Sequence, residues 1–193
     1  MFSFVFGDPS EDVSYFRHMT WRLAGLLDRQ RRTPITAESR KKLVEENGIL
    51  DALRREIEAH PLFASHTEKE RKAITKKGDW AAGLQWQDLA ARAGFHRQYF
   101  RNIYGYLCDY SHSSYAAALQ VRDAQSWEEQ HSLAAPFLQV MNMVMAHFIS
   151  IYAALFESAA QILAESLVRA TVERWCFTAA DFDAIYPNAA DQR

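Results

Sequence analysis

Residues 133–156, LAAPFLQVMNMVMAHFISIYAALF, contain no formally charged side chain. The run is long enough to cross a bilayer, since a membrane-spanning helix needs about 20 apolar residues. At about 100° per residue, however, its polar side chains fall on one arc of roughly 140° that continues into charged sequence. That arc contains Gln139, Asn142, His147, Ser150, Glu157, Gln161 and Glu165, and Met141, Met145, Phe148, Tyr152, Leu155 and Ala159 lie opposite. The pattern predicts one long amphipathic helix, from Pro136 to about Arg169, in a protein that does not span a membrane.

The composition of the remaining chain is typical of a helical protein. Its 193 residues include only 7 Gly and 5 Pro, which leaves few turns. Ala, Leu, Glu, Arg and Gln, which are abundant here, are strong helix formers. With 49% hydrophobic residues the chain can bury a core. We predict an all-α, single-domain helical bundle over residues 1–187, with four or five main helices, additional short helices and a loose tail at 188–193.

Capping and breaking residues predict the helix boundaries. The first long helix is predicted over residues 10–31 and the second over residues 34–60. The second helix is bounded by Pro34, which favours a start at the first helical position, and by Pro61, which stops the helix. The Thr-x-x-Glu spacing at Thr67–Glu70 predicts a capping box. A short helix over residues 85–93 ends at Gly94, and a longer helix then starts near His96.

Charge and cysteine content exclude several classes of protein. The net charge of −2 and a pI near 6.4 do not support nucleic-acid binding by the molecule as a whole. The first residues, MFSFVFGDPSEDV, lack the basic segment of a secretory signal. Two cysteines are too few for a disulfide framework. The sequence therefore predicts a cytoplasmic protein with reduced thiols and no membrane partner.

Chemically capable side chains concentrate in residues 80–115, WAAGLQWQDLAARAGFHRQYFRNIYGYLCDYSHSSY. If the second half of this stretch is helical, the apolar positions from Tyr99 to Tyr110 form a core face. The opposite face, within an arc of about 80°, holds Arg97, Arg101, Tyr104, Cys108, His112 and Tyr115. Arginine holds phosphate or carboxylate groups, and histidine transfers protons near neutral pH. We take this face, together with His147, as a candidate binding site, with Arg101, Tyr104 and His112 as candidate catalytic residues.

Structural interpretations of the same residues stay open. The polar face packs equally well on the Gln139/Asn142/His147 stripe of the long helix, because buried polar groups need partners. Cys108 and His112 have a spacing that suits zinc, but a third and a fourth ligand are missing from the pattern. We therefore predict no metal site and no cofactor. The tryptophans Trp80, Trp86 and Trp127 are predicted to be core anchors.

One enzymatic alternative is a metal-independent ribonuclease of the toxin or defence type. Such enzymes carry an Arg-x4–6-His signature, which Arg54 and Arg55 form with His60. In a chain with 16 Arg and 7 His, such spacings are expected by chance. Arg101 with His112 is a variant of the signature, in which Arg101 stabilises the phosphate and His112 acts as base.

A second alternative is a helix-turn-helix DNA-binding protein. Leu89–Phe95, with a small residue before Gly94, resembles the first helix and turn of bacterial transcription factors, and His96–Arg101 resembles the start of the second helix. Arg or Gln early in that helix can contact base edges. The negative net charge and the strongly aromatic inner face of the second helix argue against this function.

The stretch also resembles a whole family. Trp80-x-x-Gly83, Leu89-Ala90 with Ala93-Gly94, and the segment from Tyr104 to Ser113 are similar to a bacterial helical family of unknown function, family 5677 among the domains of unknown function. The resemblance covers about residues 15–156. It implies a helical bundle around the Tyr/Ser/His segment and no established reaction. Relatives often carry Ser in place of Cys108, which argues against a nucleophilic role for that thiol.

The sequence thus favours a cytoplasmic, non-catalytic binding or accessory module of a bacterial defence or stress system. Its working surface is predicted at Arg101, Tyr104 and His112. The apolar side of the Met-rich helix favours a homodimer, because bundles often bury such a face against a second copy.

Overall fold

The computed structural model describes residues 1–183 and residue 185. Within this part of the chain there are twelve α-helices, one π-helical turn and no strand, which confirms the all-α fold. The chain divides into two compact units, with the boundary between Gln85 and Trp86. The prediction of a single domain over residues 1–187 stays a prediction. The predicted tail at 188–193 lies outside the described residues.

The first unit is built around two long helices that follow each other in the chain and pack together. Its elements are α1 (Phe2–Phe6), α2 (Glu11–Gln30), α3 (Ala37–Ala59), α4 (Pro61–Ala64), α5 (Glu68–Lys72) and a π-helical turn (Ala73–Lys77). The start of each helix is explained by its cap: the Ser10 side chain accepts from the N–H of Val13, and Thr67 and Glu70 form the predicted capping box. The second long helix begins after Thr36 rather than at Pro34, because the hydroxyl of Thr36 caps it.

Helix α2 packs on α3 and on the π-helical turn, and this contact forms the core of the first unit. The core residues are Phe16, Met19, Leu23, Leu27, Leu50, Leu53, Ile57, Phe63 and Ile74. Gly78 ends the π-helical turn at φ +74°, and a Cβ there would lie 3.1 Å from Cα of Ala24. Only glycine satisfies both the left-handed backbone and this close approach to α2.

The second unit carries the candidate site. Its elements are α6 (Trp86–Arg92), α7 (Arg97–Ser111), α8 (Tyr115–Asp123), α9 (Trp127–Leu155), α10 (Glu157–Leu163), α11 (Ser166–Trp175) and α12 (Ala179–Phe182). Helix α9 packs against α10, α11 and α8, and α6 packs against α7. A small core of Ala90, Phe95 and Met143 joins α6, the turn before α7, and α9. Helix α7 contacts α9 at Phe137, whose ring lies 5.2 Å from that of Tyr106 and 4.8 Å from that of Tyr110.

The predicted long helix from Pro136 to Arg169 is wrong at both ends. Helix α9 begins at Trp127, because Ser126 and Glu129 form a capping box, and Pro136 lies inside it. The helix ends at Leu155, since Phe156 has an extended backbone (φ −129°, ψ 116°). The carbonyl of Phe156 then accepts the first hydrogen bonds of α10. Polar residues keep a helical spacing in the sequence on both sides of Phe156, so periodicity does not detect the break.

Candidate functional site

Helix α7 is positioned by the turn that joins it to α6. Gly94 ends α6 in the left-handed region at φ +93°, and its carbonyl accepts a hydrogen bond from the N–H of Ala179 at 3.1 Å. Nδ1 of His96 then accepts the N–H of Tyr99 at 3.2 Å and caps α7. The turn and the helix start are therefore fixed by hydrogen bonds that involve both backbone and side chains.

The candidate residues of α7 remain on the surface of the second unit. Arg101, Tyr104 and His112 are exposed, and Cys108 is half-buried. The apolar residues of the predicted core face, from Tyr99 to Tyr110, are also half-buried. The stripe on α9 is divided, because Gln139 and Asn142 are exposed whereas His147 is buried. The alternative in which the polar face of α7 packs against this stripe is therefore not formed.

The two arginines of α7 have different surroundings. Nε of Arg97 donates to Oδ1 of Asp88, on α6, at 2.8 Å. This ion pair offsets the charge of Arg97 and ties the start of α7 to α6. Arg101 lies one turn further along, about 6 Å in rise, and its side chain faces solvent. A ligand that binds Arg97 must first displace Asp88 from its ion pair. Arg101 is exposed and can bind a ligand more readily.

Tyr104 stands at the centre of an aromatic surface. Its ring is 6.4 Å from that of Trp86 and 6.2 Å from that of Phe100, and 42% of its surface is exposed. A side-chain hydrogen bond with Cys108 raises the pKa of Tyr104 above its ordinary value, with the charge of Cys108 and burial as smaller causes. The hydroxyl of a tyrosine can donate and accept hydrogen bonds, which suits Tyr104 to contact with a polar group of a ligand.

His112 is the C-terminal cap of α7. Its backbone N–H donates to the carbonyl of Cys108 at 2.9 Å, and its ring is exposed. Eleven residues of helix separate it from Arg101, so their Cα atoms lie about 16 Å apart along the axis. A shared phosphate group would require both side chains to be fully extended toward each other. This geometry does not favour the ribonuclease in which Arg101 and His112 act on one phosphate.

His147 lies in the interior, away from the exposed face of α7. Its ring is 4.1 Å from that of Phe95, and its Nε2 lies 2.6 Å from the carbonyl oxygen of Phe177. A carbonyl only accepts, so Nε2 carries the proton and donates. A Cβ on Gly94 would lie 3.4 Å from Cε1 of His147. The structure thus places His147 as a packing residue that joins α9, the turn before α7 and the segment before α12.

The Arg-x4–6-His spacing of the first unit is occupied by structural contacts. Arg54 donates to the carbonyl of Thr75 at 3.4 Å and pairs with Asp51 at 3.1 Å. The side chain of His60 is only 9% exposed. Its Nδ1 accepts the N–H of Leu62, which leaves Nε2 to face the carboxylate of Asp12 at 3.2 Å. Both ring nitrogens of His60 therefore have partners that hold the start of α4.

Metal ligands do not gather in the described part of the chain, where no group of three or more His, Cys, Asp or Glu side chains could hold an ion. Both cysteines are free and half-buried. Sγ of Cys176 lies 3.8 Å from the hydroxyl of Ser150, on α9. These thiols have local polar neighbours within their own unit.

Trp86 lies beside the candidate site, although the sequence analysis placed it in the core. The prediction made it a core anchor, as it did Trp127, but 48% of Trp86 and 75% of Trp127 is exposed. Each is the first residue of its helix, at the end of the packed surface. Position at a helix terminus was the signal available in the sequence, because side chains there are covered from one side only.

Comparisons with protein-family models, with curated proteins and with solved structures find no match to this chain. The resemblance to family 5677 among the domains of unknown function stays a prediction.

Proposed function

We propose that this chain is a non-catalytic binding module, acting in the cytoplasm, that contacts a protein partner through an aromatic–arginine patch made of Trp86, Arg101 and Tyr104. The observation that carries the proposal is the half-exposed pair of Trp86 and Tyr104, with rings 6.4 Å apart, beside the exposed Arg101 one helical turn away. Trp, Tyr and Arg are the residue types that contribute most to protein–protein binding energy.

An ion pair and a helix cap hold the start of α7, which carries Arg101 and Tyr104, in place. Asp88 holds Arg97 by an ion pair, and His96 caps α7. Because the patch lies on helices and not on a loop, little side-chain and backbone freedom is lost on binding. The separation of Arg101 from His112 supports binding over catalysis.

A first experiment compares capture of partners by matched variants. The immobilised wild type, Arg101→Ala, Tyr104→Ala and the control Arg122→Ala are incubated with bacterial extract, and the bound proteins are quantified by mass spectrometry. Arg122 is an exposed arginine of α8, at 69% side-chain exposure, outside the patch. The captured protein is then purified, and its affinity for each variant is measured by titration calorimetry.

Central hot-spot residues cost about 2 kcal/mol or more when truncated to alanine, which is roughly a thirtyfold loss of affinity. We expect such a loss for Arg101→Ala and Tyr104→Ala and less than a twofold change for Arg122→Ala. A purified partner whose affinity is unchanged by both patch variants would show that binding, if it occurs, uses another surface.

DNA binding is a second candidate because of one observation, the packed arrangement of α6, the Gly94 turn and α7. Gln98, Arg101 and Asn102 are exposed at the start of α7, and these residue types contact base edges. Against it, residues 86–193 contain seven Arg and no Lys, but eleven Asp and Glu. Fluorescence anisotropy with duplex DNA at low and physiological salt tests it: binding that persists at physiological salt and is lost in Arg101→Ala would favour DNA over a protein partner.

A further inference from the structure

Helix α9 has a second apolar face, on the surface of its unit. Its residues are Leu138, Met141, Met145, Phe148, Tyr152 and Leu155, which we call the α9 seam. Their separations along the chain are three, four, three, four and three residues. Between 39% and 62% of each of these side chains is exposed. The spacing is the heptad pattern of a helix that packs against another helix by knobs-into-holes contacts.

The opposite side of the same helix is already buried. Val140, Met143, Ala146, His147 and Ala153 are buried within the second unit. A helix that packs only on its own protein needs one apolar stripe, and the remaining face is then polar. Helix α9 instead carries apolar residues on both sides, and the α9 seam keeps 39–62% of each residue accessible to a partner.

The exposed apolar area is close to what a dimer requires. From the exposed fractions, the six seam residues together with the adjacent Val144 and Phe156 present about 700 Å². A stable complex buries about 800 Å² on each partner. Exposed apolar patches of several hundred Å² on soluble proteins mark interaction surfaces. A second copy of this chain would supply an equal area by symmetry.

The packing and the charge of α9 favour a protein partner over a membrane. Helix α9 is the one helix in the described residues that is long and apolar enough to cross a bilayer, with a mean hydropathy of 1.5 over 18 residues, of which 28% are buried. Its buried side packs on its own unit, however, so lipid cannot surround the helix. It also has no Lys or Arg, which membrane-surface helices use to bind anionic lipid. The six residues of the α9 seam are also uncharged, so two copies can bring their seams together without charge repulsion at the contact.

We infer that this chain forms a homodimer in which the α9 seams of two copies pack against each other in antiparallel orientation. The seam is symmetric about its centre: in an antiparallel pair Leu138 of one copy faces Leu155 of the other, and Met145 faces Phe148. A parallel pair would bring together the positive helix ends and the four carboxylates of Glu128 and Glu129 from two copies. The antiparallel pair keeps these carboxylates at opposite ends.

The mass of the full chain in solution tests the dimer. Light scattering after size exclusion, at about 100 µM loading, should give about twice the 22.2 kDa of one copy. Met145→Glu places a carboxylate at the centre of the seam and should raise the dimer dissociation constant at least about a hundredfold. The control Val44→Glu makes the same kind of change on α3, at a residue that is 70% exposed, and should leave the dimer intact. Circular dichroism confirms that both variants remain helical.

Disulfide cross-linking tests the orientation. Leu138→Cys mixed with Leu155→Cys should give a cross-linked heterodimer, and Leu138→Cys alone should give none, with wild type as control for Cys108 and Cys176. Cross-linking of Leu138→Cys to itself would overturn the antiparallel arrangement.

A monomeric wild type at this concentration would overturn the inference. Flotation with vesicles of neutral and of anionic phospholipid then identifies the other occupant of the face. Vesicle binding by a monomer, abolished by Met145→Glu and kept by Val44→Glu, would assign the α9 seam to a membrane surface. The dimer and the protein-binding patch on α6 and α7 are separate proposals, so each can fail without the other.

Discussion

The ion pair between Arg29 and Glu46 offers the sharpest test of how the first unit is stabilised. Nη1 of Arg29 donates to Oε1 of Glu46 at 2.6 Å, across the contact of α2 with α3. The side chain of Glu46 is 7% exposed and that of Arg29 is 46% exposed. The other carboxylate oxygen, Oε2, is buried and has no hydrogen-bond partner within the described residues. The two partners should therefore respond differently to removal.

Truncation of the arginine leaves a buried carboxylate without its counter-charge. Breaking a fully buried pair in this way costs about 3–5 kcal/mol. Solvent reaches the Arg29 side of this pair, so we expect Arg29→Ala to lower the free energy of unfolding by about 2–3 kcal/mol. In the double variant Arg29→Ala/Glu46→Leu the stranded charge is gone, and at least about 1 kcal/mol of this loss should be recovered.

Urea unfolding followed by tryptophan fluorescence measures these differences, because Trp21 and Trp80 belong to the same unit. The matched control is Arg32→Ala, which removes an arginine from the exposed i,i+4 pair with Asp28, where the side chains are 75% and 58% exposed. Such a surface pair contributes only about 0.3–0.5 kcal/mol. Equal effects of Arg29→Ala and Arg32→Ala, or no recovery in the double variant, would refute the assignment of a buried charge to Glu46.

Three further outcomes follow from the second unit. Wild type incubated with RNA in chelator should leave it intact; cleavage that disappears in a folded His112→Ala variant would establish a metal-independent ribonuclease and contradict a non-catalytic module. His147→Ala should lower stability by about 2–4 kcal/mol, since it removes a buried ring and a hydrogen bond, whereas Gln139→Ala, at an exposed residue of α9, should change it by less than about 0.5 kcal/mol. Thermal unfolding of the two variants distinguishes these values. Cys108→Ala should lower the pKa of Tyr104 toward its ordinary value, because the hydrogen bond with Cys108 is the main cause of the upward shift. Ring chemical shifts of Tyr104 across an alkaline titration measure this, and an unchanged or higher midpoint would show that another group raises it.

Local chemistry explains which structural features were predictable. The helix starts after Ser10 and Thr67 depend on hydrogen bonds that span only three residues, and these are readable from residue type and spacing. The end of α6 at Gly94 depends on a single left-handed residue. The start of α9 was misjudged because two local signals compete there. Proline at 136 suits a first turn, yet the capping box at Ser126 and Glu129 begins the helix earlier.

The candidate site shows the limit of helical periodicity. Periodicity describes angle around the axis, so it grouped Arg101 with His112 on one face of α7. It does not weigh distance along the axis, which separates the two residues by about 16 Å. It also does not show which of two opposite faces is covered. On α9 the apolar Met141 and Met145 are exposed, and the polar His147 is buried.

By itself, the sequence determined the all-α fold, several helix caps and the amphipathic character of α7 and α9, because these depend on composition and on contacts between residues at most four apart. Only the tertiary structure decided which faces meet. It placed His147 between Phe95 and the carbonyl of Phe177, left Trp86 beside Tyr104 on the surface, and left the α9 seam partly exposed. The physical reason is that burial is set by what packs on a helix from distant parts of the chain, and helical periodicity contains no information on that partner.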